Sequence, residues 1–204
     1  MGVTIHYRGR LNDVGQLARL CDELTDIAAA LGWESTRLDD DWGQPCDARL
    51  QATPAGATIG GNLGLKGIMI VPGGKVEPLS FCFDREGNLW CPVTMVLVLE
   101  GTLKPEEAWV SVKTQFGSPQ IHAWIIGLLK YLKKRYISDL EVSDEGEYWE
   151  TGDIRKVQEK MDLIDRKIGE LSRELSSCRL GDVSGLSAEE IASKIEEWFL
   201  ENGH

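Results

Sequence analysis

The chain has 204 residues, 42% of them hydrophobic and 27% charged, which suits one folded domain with a core of its own, or one with a small appendage, and excludes a disordered chain. Its 33 acidic side chains outnumber 22 basic ones, for a net charge of −11, so no broad basic face is available to neutralise a nucleic-acid backbone. The longest apolar run, Met95-Val96-Leu97-Val98-Leu99, is too short to span a bilayer. The opening residues carry no basic region followed by an apolar stretch, so the expected location is the cytoplasm.

Residues 3–9 alternate Val3, Ile5 and Tyr7 with Thr4, His6 and Arg8, the period of a half-buried strand. Asn12 or Asp13 can cap the helix that follows, whose apolar stripe runs Leu17, Leu20, Cys21, Leu24, Ile27, Ala28 and Leu31 before Gly32 offers a left-handed stop. With a strand at 33–38, the opening reads as a β-α-β unit. Residues 43–67 read as loop because prolines and glycines punctuate them throughout. The glycine-rich stretch 56–67 lacks the Gly-Lys-Ser/Thr ending of a phosphate loop, and no helical pattern follows it as a dinucleotide fingerprint requires.

Strand patterns return at 67–71, 79–84, 89–99 and 109–114, consistent with an antiparallel meander. Five cysteines without a Cys-x-x-Cys spacing suggest neither a zinc framework nor a disulfide scaffold. Cys82 and Cys91 flank a hairpin, and a two-residue loop would set them opposite one another. A three-residue loop with Gly87 left-handed instead pairs Asp84 with Asn88. It keeps Leu79, Phe81 and Phe83 on one face with Leu89, Cys91 and Val93, which favours free thiols.

Ser118-Pro119 has the order of a helix cap and first turn, and the helix continues to about Tyr136 with Ile121, Trp124, Ile125, Leu128, Leu129 and Leu132 along one face and Lys133, Lys134 and Arg135 at its end. A short strand is expected at 137–142. Between 139 and 153 there are seven carboxylates and no basic residue. Such clusters face solvent or hold a hard cation, and Asp39-Asp40-Asp41 could supply a second segment. The order of an EF-hand is absent. Asp39, Asp41, Asp144, Glu145 and Glu147 are therefore the candidate ligands for a divalent cation, with His122, in the first turn of the Ser118 helix, as base or ligand. No Gly-x-Ser-x-Gly elbow is present. His6 lies on the polar face of the first strand with no partner that local sequence identifies.

Ile154, Val157, Met161, Ile164, Ile168, Leu171, Leu175 and Cys178 recur at spacings of three and four, an unbroken heptad seam on a helix of about 37 Å at 1.5 Å per residue. Asp153 can cap it. Ser187-Ala188-Glu189-Glu190 forms a capping box for a closing helix with Ile191, Ala192, Ile195, Trp198 and Phe199 on one face. The expected organisation is an α+β domain over 1–152 and a helical hairpin or arm over 153–204. The seam meets the closing helix, the main domain or a second copy as a homodimer. Of the seven tryptophans, Trp42 and Trp149 fall in acidic loops and, with Tyr148, are interface candidates. These features suggest a non-catalytic interaction protein that binds neither nucleic acid nor membrane. The alternative is a metal-dependent, hydrolase-like enzyme built on the carboxylates and His122.

Overall fold

A computed structural model describes residues 2–54 and 56–177, together with Ser187, Glu190 and Ser193. The chain divides into two compact units, Met1–Met161 and Asp162–His204, so the division falls inside the seam helix.

The first unit is α+β. Its strands are β1 (Thr4–Arg8), β2 (Glu34–Asp39), β3 (Arg49–Thr53), β4 (Gly56–Gly60), β5 (Lys66–Val71), β6 (Leu79–Phe83), β7 (Leu89–Trp90), β8 (Val110–Lys113) and β9 (Glu141–Asp144). The helices are α1 (Leu17–Ala30), α2 (Pro92–Leu99), α3 (Pro119–Arg135), the single turn α4 (Tyr148–Thr151) and α5 (Ile154–Ser177), the last continuing past the unit's end. All pairing is antiparallel, in three sheets ordered β8-β1-β9, β2-β5-β6-β7 and β3-β4.

The expected β-α-β opening is not what forms. β1 becomes the centre of the three-stranded sheet, while β2 becomes an edge of the four-stranded one. The two sheets are nonetheless stitched along β1. Leu89 N–H donates to Gly9 O at 2.9 Å, Leu11 N–H to Gly87 O at 2.9 Å, and Tyr7 Oη to Ser80 O at 3.0 Å. α1 ends as the sequence suggests: Gly32 sits at φ 68°, and the N–H groups of Gly32 and Trp33 close onto Ala29 and Ala28.

The segment expected as loop contains the hairpin β3–β4. All five β3 residues are exposed, so no buried face left an alternating pattern to read. The long strand expected at 89–99 stops at Trp90, and α2 follows it. Pro92 occupies the first helical turn, where its missing N–H costs nothing, whereas inside a strand it would remove a ladder donor. A continuous apolar run does not separate a buried strand from a short buried helix by periodicity alone. The hairpin before it has the expected three-residue loop, with Gly87 at φ 87° and Asp84 N–H donating to Asn88 O at 3.0 Å. Cys82 therefore faces Trp90 rather than Cys91, but the strand ends too early for Val93 to join the ladder. Cys21, Cys46, Cys82 and Cys91 are free thiols, and Cys46 is exposed. The strand expected at 137–142 forms later, at Glu141–Asp144, because Ile137 and Leu140 turn into the core instead.

Every residue of β6 is buried. Leu79, Phe81 and Phe83 join α1 and α3 in the main core, while Cys82 joins Leu63, Leu65, Met95 and Val96 in a second cluster under α2. Ser118 caps α3 by accepting from Ile121 N–H at 3.3 Å, and Asp153 caps α5 by accepting from Arg155 N–H at 3.0 Å. On α5, Val157 and Met161 are buried, Ile164 is half-buried and Ile168 is exposed; the side chains of Leu171 and Leu175, and Cys178, lie outside the described residues. Of the closing helix, the reciprocal capping box is described: Ser187 N–H donates to Glu190 Oε2 at 2.7 Å and Glu190 N–H to Ser187 Oγ at 3.2 Å. The stripe Ile191, Ala192, Ile195, Trp198 and Phe199 lies outside the described residues.

The Tyr7 hydroxyl also accepts from Ser80 N–H at 3.2 Å, and burial pushes its pKa above the usual tyrosine range. Tyr7→Phe removes the partner of two buried backbone groups. It should cost about 1–3 kcal/mol in urea unfolding with an unchanged denaturant slope.

Candidate functional site

The carboxylates singled out by the sequence are placed on different sheets and are each engaged. Asp39 pairs with Lys66 at 2.6 Å on β2, and Asp40 accepts from Leu63 N–H at 2.9 Å. Asp41 accepts from Gly43 N–H at 2.8 Å. On and after β9, Glu145 accepts from Thr4 N–H at 2.8 Å. Glu147 holds Lys156 at 2.8 Å and Lys160 at 2.7 Å. Among the described residues, no three His, Cys, Asp or Glu side chains converge as a metal would require. Each of the five candidate carboxylates, Asp39, Asp41, Asp144, Glu145 and Glu147, already has a hydrogen-bond or ion-pair partner within the chain.

Asp144 and His122 do come together. His122 is fully buried on the first turn of α3, with Nε2 3.0 Å from Asp144 Oδ1 and Nδ1 2.7 Å from Thr114 Oγ1. The Nε2 contact does not meet the geometry of a directed N–H···O hydrogen bond. Two backbone donors complete the carboxylate: Gly146 N–H reaches Oδ1 at 2.7 Å and Trp149 N–H reaches Oδ2 at 2.9 Å. Burial alone would raise the Asp144 pKa. His122 and the two N–H groups outweigh it and hold the carboxyl below its ordinary range. Tyr148 meets the imidazole edge-on at 6.5 Å between ring centres. A Cβ on Gly146 would fall 2.7 Å from His122 Nε2, so only glycine closes this turn. The arrangement leaves His122 fully buried. It fastens the acidic turn to α3 and the end of β8, and it makes Tyr148 and Trp149 half-buried anchors rather than an exposed rim. Trp42 is likewise half-buried against the core, with the Lys66 ammonium 5.4 Å from its ring centre.

The surface that sequence reasoning missed is apolar. A groove of about 510 Å³ runs between α1 and α3. Ile27, Leu31 and Trp33 form one wall, Trp124, Leu128 and Tyr131 the other, and Ile154 closes one end. Trp124 is 57% exposed although it lies on the predicted α3 stripe beside fully buried Ile125. The floor is Ala123 and Gly127, one helical turn apart. Among the described residues a Cβ on Gly127 would touch nothing within 4 Å, so their packing does not require the glycine. A glycine in mid-helix costs about 0.5–1 kcal/mol relative to alanine. The Tyr131 wall is fixed by Glu23 of α1, which accepts from the hydroxyls of Tyr131 at 2.5 Å and Tyr136 at 2.7 Å and pairs with Arg135 at 3.1 Å. The stripe of α3 was legible as apolar, but the side that α1 leaves uncovered was not.

Comparison with protein-family models, with curated proteins and with solved structures gave no match to this chain.

Gly146→Ala should destabilise the unit by about 1–3 kcal/mol through overpacking against an imidazole that has no room to move, measured by thermal or urea unfolding. The hydrogen bonds of Tyr131 and Tyr136 hold the Glu23 pKa at about 2, and the hydrogen bonds of Lys156 and Lys160 hold Glu147 at about 2. Their folded pKa values, like that of Asp144, lie below those of the unfolded chain. The stability they contribute is present above pH about 4 and is lost as pH falls through the folded values. Unfolding free energy should therefore be level with respect to these groups above about pH 5 and drop steeply between about pH 4 and 2.

Proposed function

We propose that this chain is a protein-interaction module that self-associates, the α1–α3 groove of one copy taking the heptad seam of another. The observation that carries this reading is an apolar groove walled by an exposed tryptophan and floored by a glycine that no packing among the described residues explains. Large aromatic side chains over a small-residue floor let a helix approach closely and bury an anchor, the usual economy of a helix-in-groove contact.

The chain itself carries an apolar helical surface of the kind such a groove takes. Beyond Met161 the seam continues through Ile164 and Ile168, with Ile168 46% exposed and Leu163 39% exposed beside it. A seam in one copy and a groove in the other are matched twice over by a two-fold axis, which closes the assembly at a dimer. A net charge of −11 holds copies apart at long range, so the apolar contact must overcome that repulsion and should tighten as salt screens it.

Sedimentation equilibrium over a micromolar range, at two salt concentrations, tests the reading. A dimer that weakens by about thirty-fold or more in Kd with Trp124→Glu, and similarly with Ile168→Lys, is the expected result, corresponding to about 2 kcal/mol for loss of an anchor. Both positions are exposed, so the variants should keep the wild-type melting temperature. A wild-type chain that stays monomeric throughout overturns the proposal. Gly127→Ala separates stability from association. It should raise unfolding free energy by about 0.5–1 kcal/mol, whereas Gly127→Leu should fill the groove floor and weaken the dimer without unfolding the chain.

A further inference from the structure

The outer face of the three-stranded sheet carries a second arrangement, remote in chemistry from the apolar groove. The register sets Ser111 of β8, His6 of β1 and Ser143 of β9 directly opposite one another, an imidazole between two hydroxyls. Ile5 and Tyr7 are fully buried, so strand alternation turns His6 outward. In the same way Val110 and Val112, both buried, turn Ser111 to that face. His6 Nδ1 lies 2.7 Å from Ser111 Oγ. The two side chains open into a cavity of about 380 Å³ bounded by Trp109, Leu103, Thr94 and Glu107. Ser111 is exposed and His6 half-buried, so the pair is reachable, unlike the fully buried His122.

We propose that Ser111 and His6 are a nucleophile and its base, and that the cavity takes a small ester carrying no negative charge. Geometry supplies the pairing, since the hydroxyl is already within proton-transfer distance of a nitrogen with an available lone pair in one neutral tautomer. Rigidity supplies the positioning. β1 is bonded on both sides, and its neighbouring Tyr7 is tied to Ser80, so His6 rides on one of the most constrained strands of the unit. Charge supplies the selectivity. Among the described residues the one charged side chain lining the cavity is Glu107, while the nearby Arg8 guanidinium is stacked on Trp109, 4.3 Å from its ring centre, and paired with Glu141; with −11 on the chain overall, an anionic ester is disfavoured while an apolar acyl group meets Leu103 and Trp109.

In the first step Ser111 Oγ bonds to the acyl carbon while its proton passes to His6 Nδ1. The proton then moves from Nδ1 to the leaving alcohol oxygen as the ester C–O bond breaks, giving acyl-Ser111 and a free alcohol. Water next gives a proton to Nδ1 as its oxygen bonds to the acyl carbon. That proton returns to Ser111 Oγ as the carboxylic acid departs. One water is consumed and nothing is oxidised or reduced.

The test is labelling of the folded chain with a fluorophosphonate, which forms a covalent bond to a serine oxygen that a base has activated. Intact mass should show a single adduct, mapped to Ser111 and absent from Ser111→Ala. His6→Gln retains a hydrogen-bonding side chain but cannot take the proton, so its labelling rate should fall about 100-fold or more with little change in melting temperature. Hydrolysis of p-nitrophenyl butyrate above the Ser111→Ala background should fall in parallel. No adduct at Ser111 in the folded wild type, or labelling that His6→Gln leaves unchanged, overturns the proposal and leaves the pair as a cross-strand hydrogen bond.

Discussion

The constraint on which the rest of this unit depends is the burial of β6 on both of its faces. A strand running Leu79-Ser80-Phe81-Cys82-Phe83 has no polar face to give to water, so cover must come from two directions. α1 and α3 supply one layer, meeting Leu79, Phe81 and Phe83, and α2 supplies the other over Cys82. α2 is only eight residues long, so its cover is local. On the outer face of β1, β8 and β9, polar residues line a cavity that Thr94 of α2 and Leu103 also border.

The acidic character of the chain is used internally more than its composition suggests. Asp84 accepts from Asn88 N–H, Asn88 Nδ2 and Trp90 Nε1, and so sets the hairpin that places β7 against β6. Glu23 ties α1 to α3, Glu147 ties the acidic turn to α5, and Asp144 fastens that turn to His122. Each of these carboxylates has N–H, O–H or cationic partners that favour its charged form. Of these ties, the Glu23 contacts to Tyr131 and Arg135 join the two helices that line the apolar groove.

Much of the local architecture was legible. The alternation of Ile5 and Tyr7, the Ser118-Pro119 start of α3, the Gly32 stop of α1, the Gly87 turn and the Asp153 cap are written within a few residues of where they act, because dihedral preference and capping are local. The misreadings arose where local chemistry is silent. β3–β4 buries no face and left no pattern, and the apolar run after Pro92 satisfies a buried strand and a buried helix equally until tertiary cover decides between them.

What the sequence by itself determined was the α+β class, the order and limits of most elements, and the existence of an apolar seam from Ile154 onward. The tertiary structure alone decided which strand joined which sheet and which polar side chains met. His6 and Ser111 are 105 residues apart, and Asp144 reaches His122 only because β9 pairs beside β1. It also decided that α3 would be covered on one side and leave Trp124 bare on the other. The physical reason is that a helix or turn is settled by the conformational preferences of neighbours in sequence. Partners brought together by long-range pairing depend on which loops close and which surfaces water expels, and that information is spread over the whole chain.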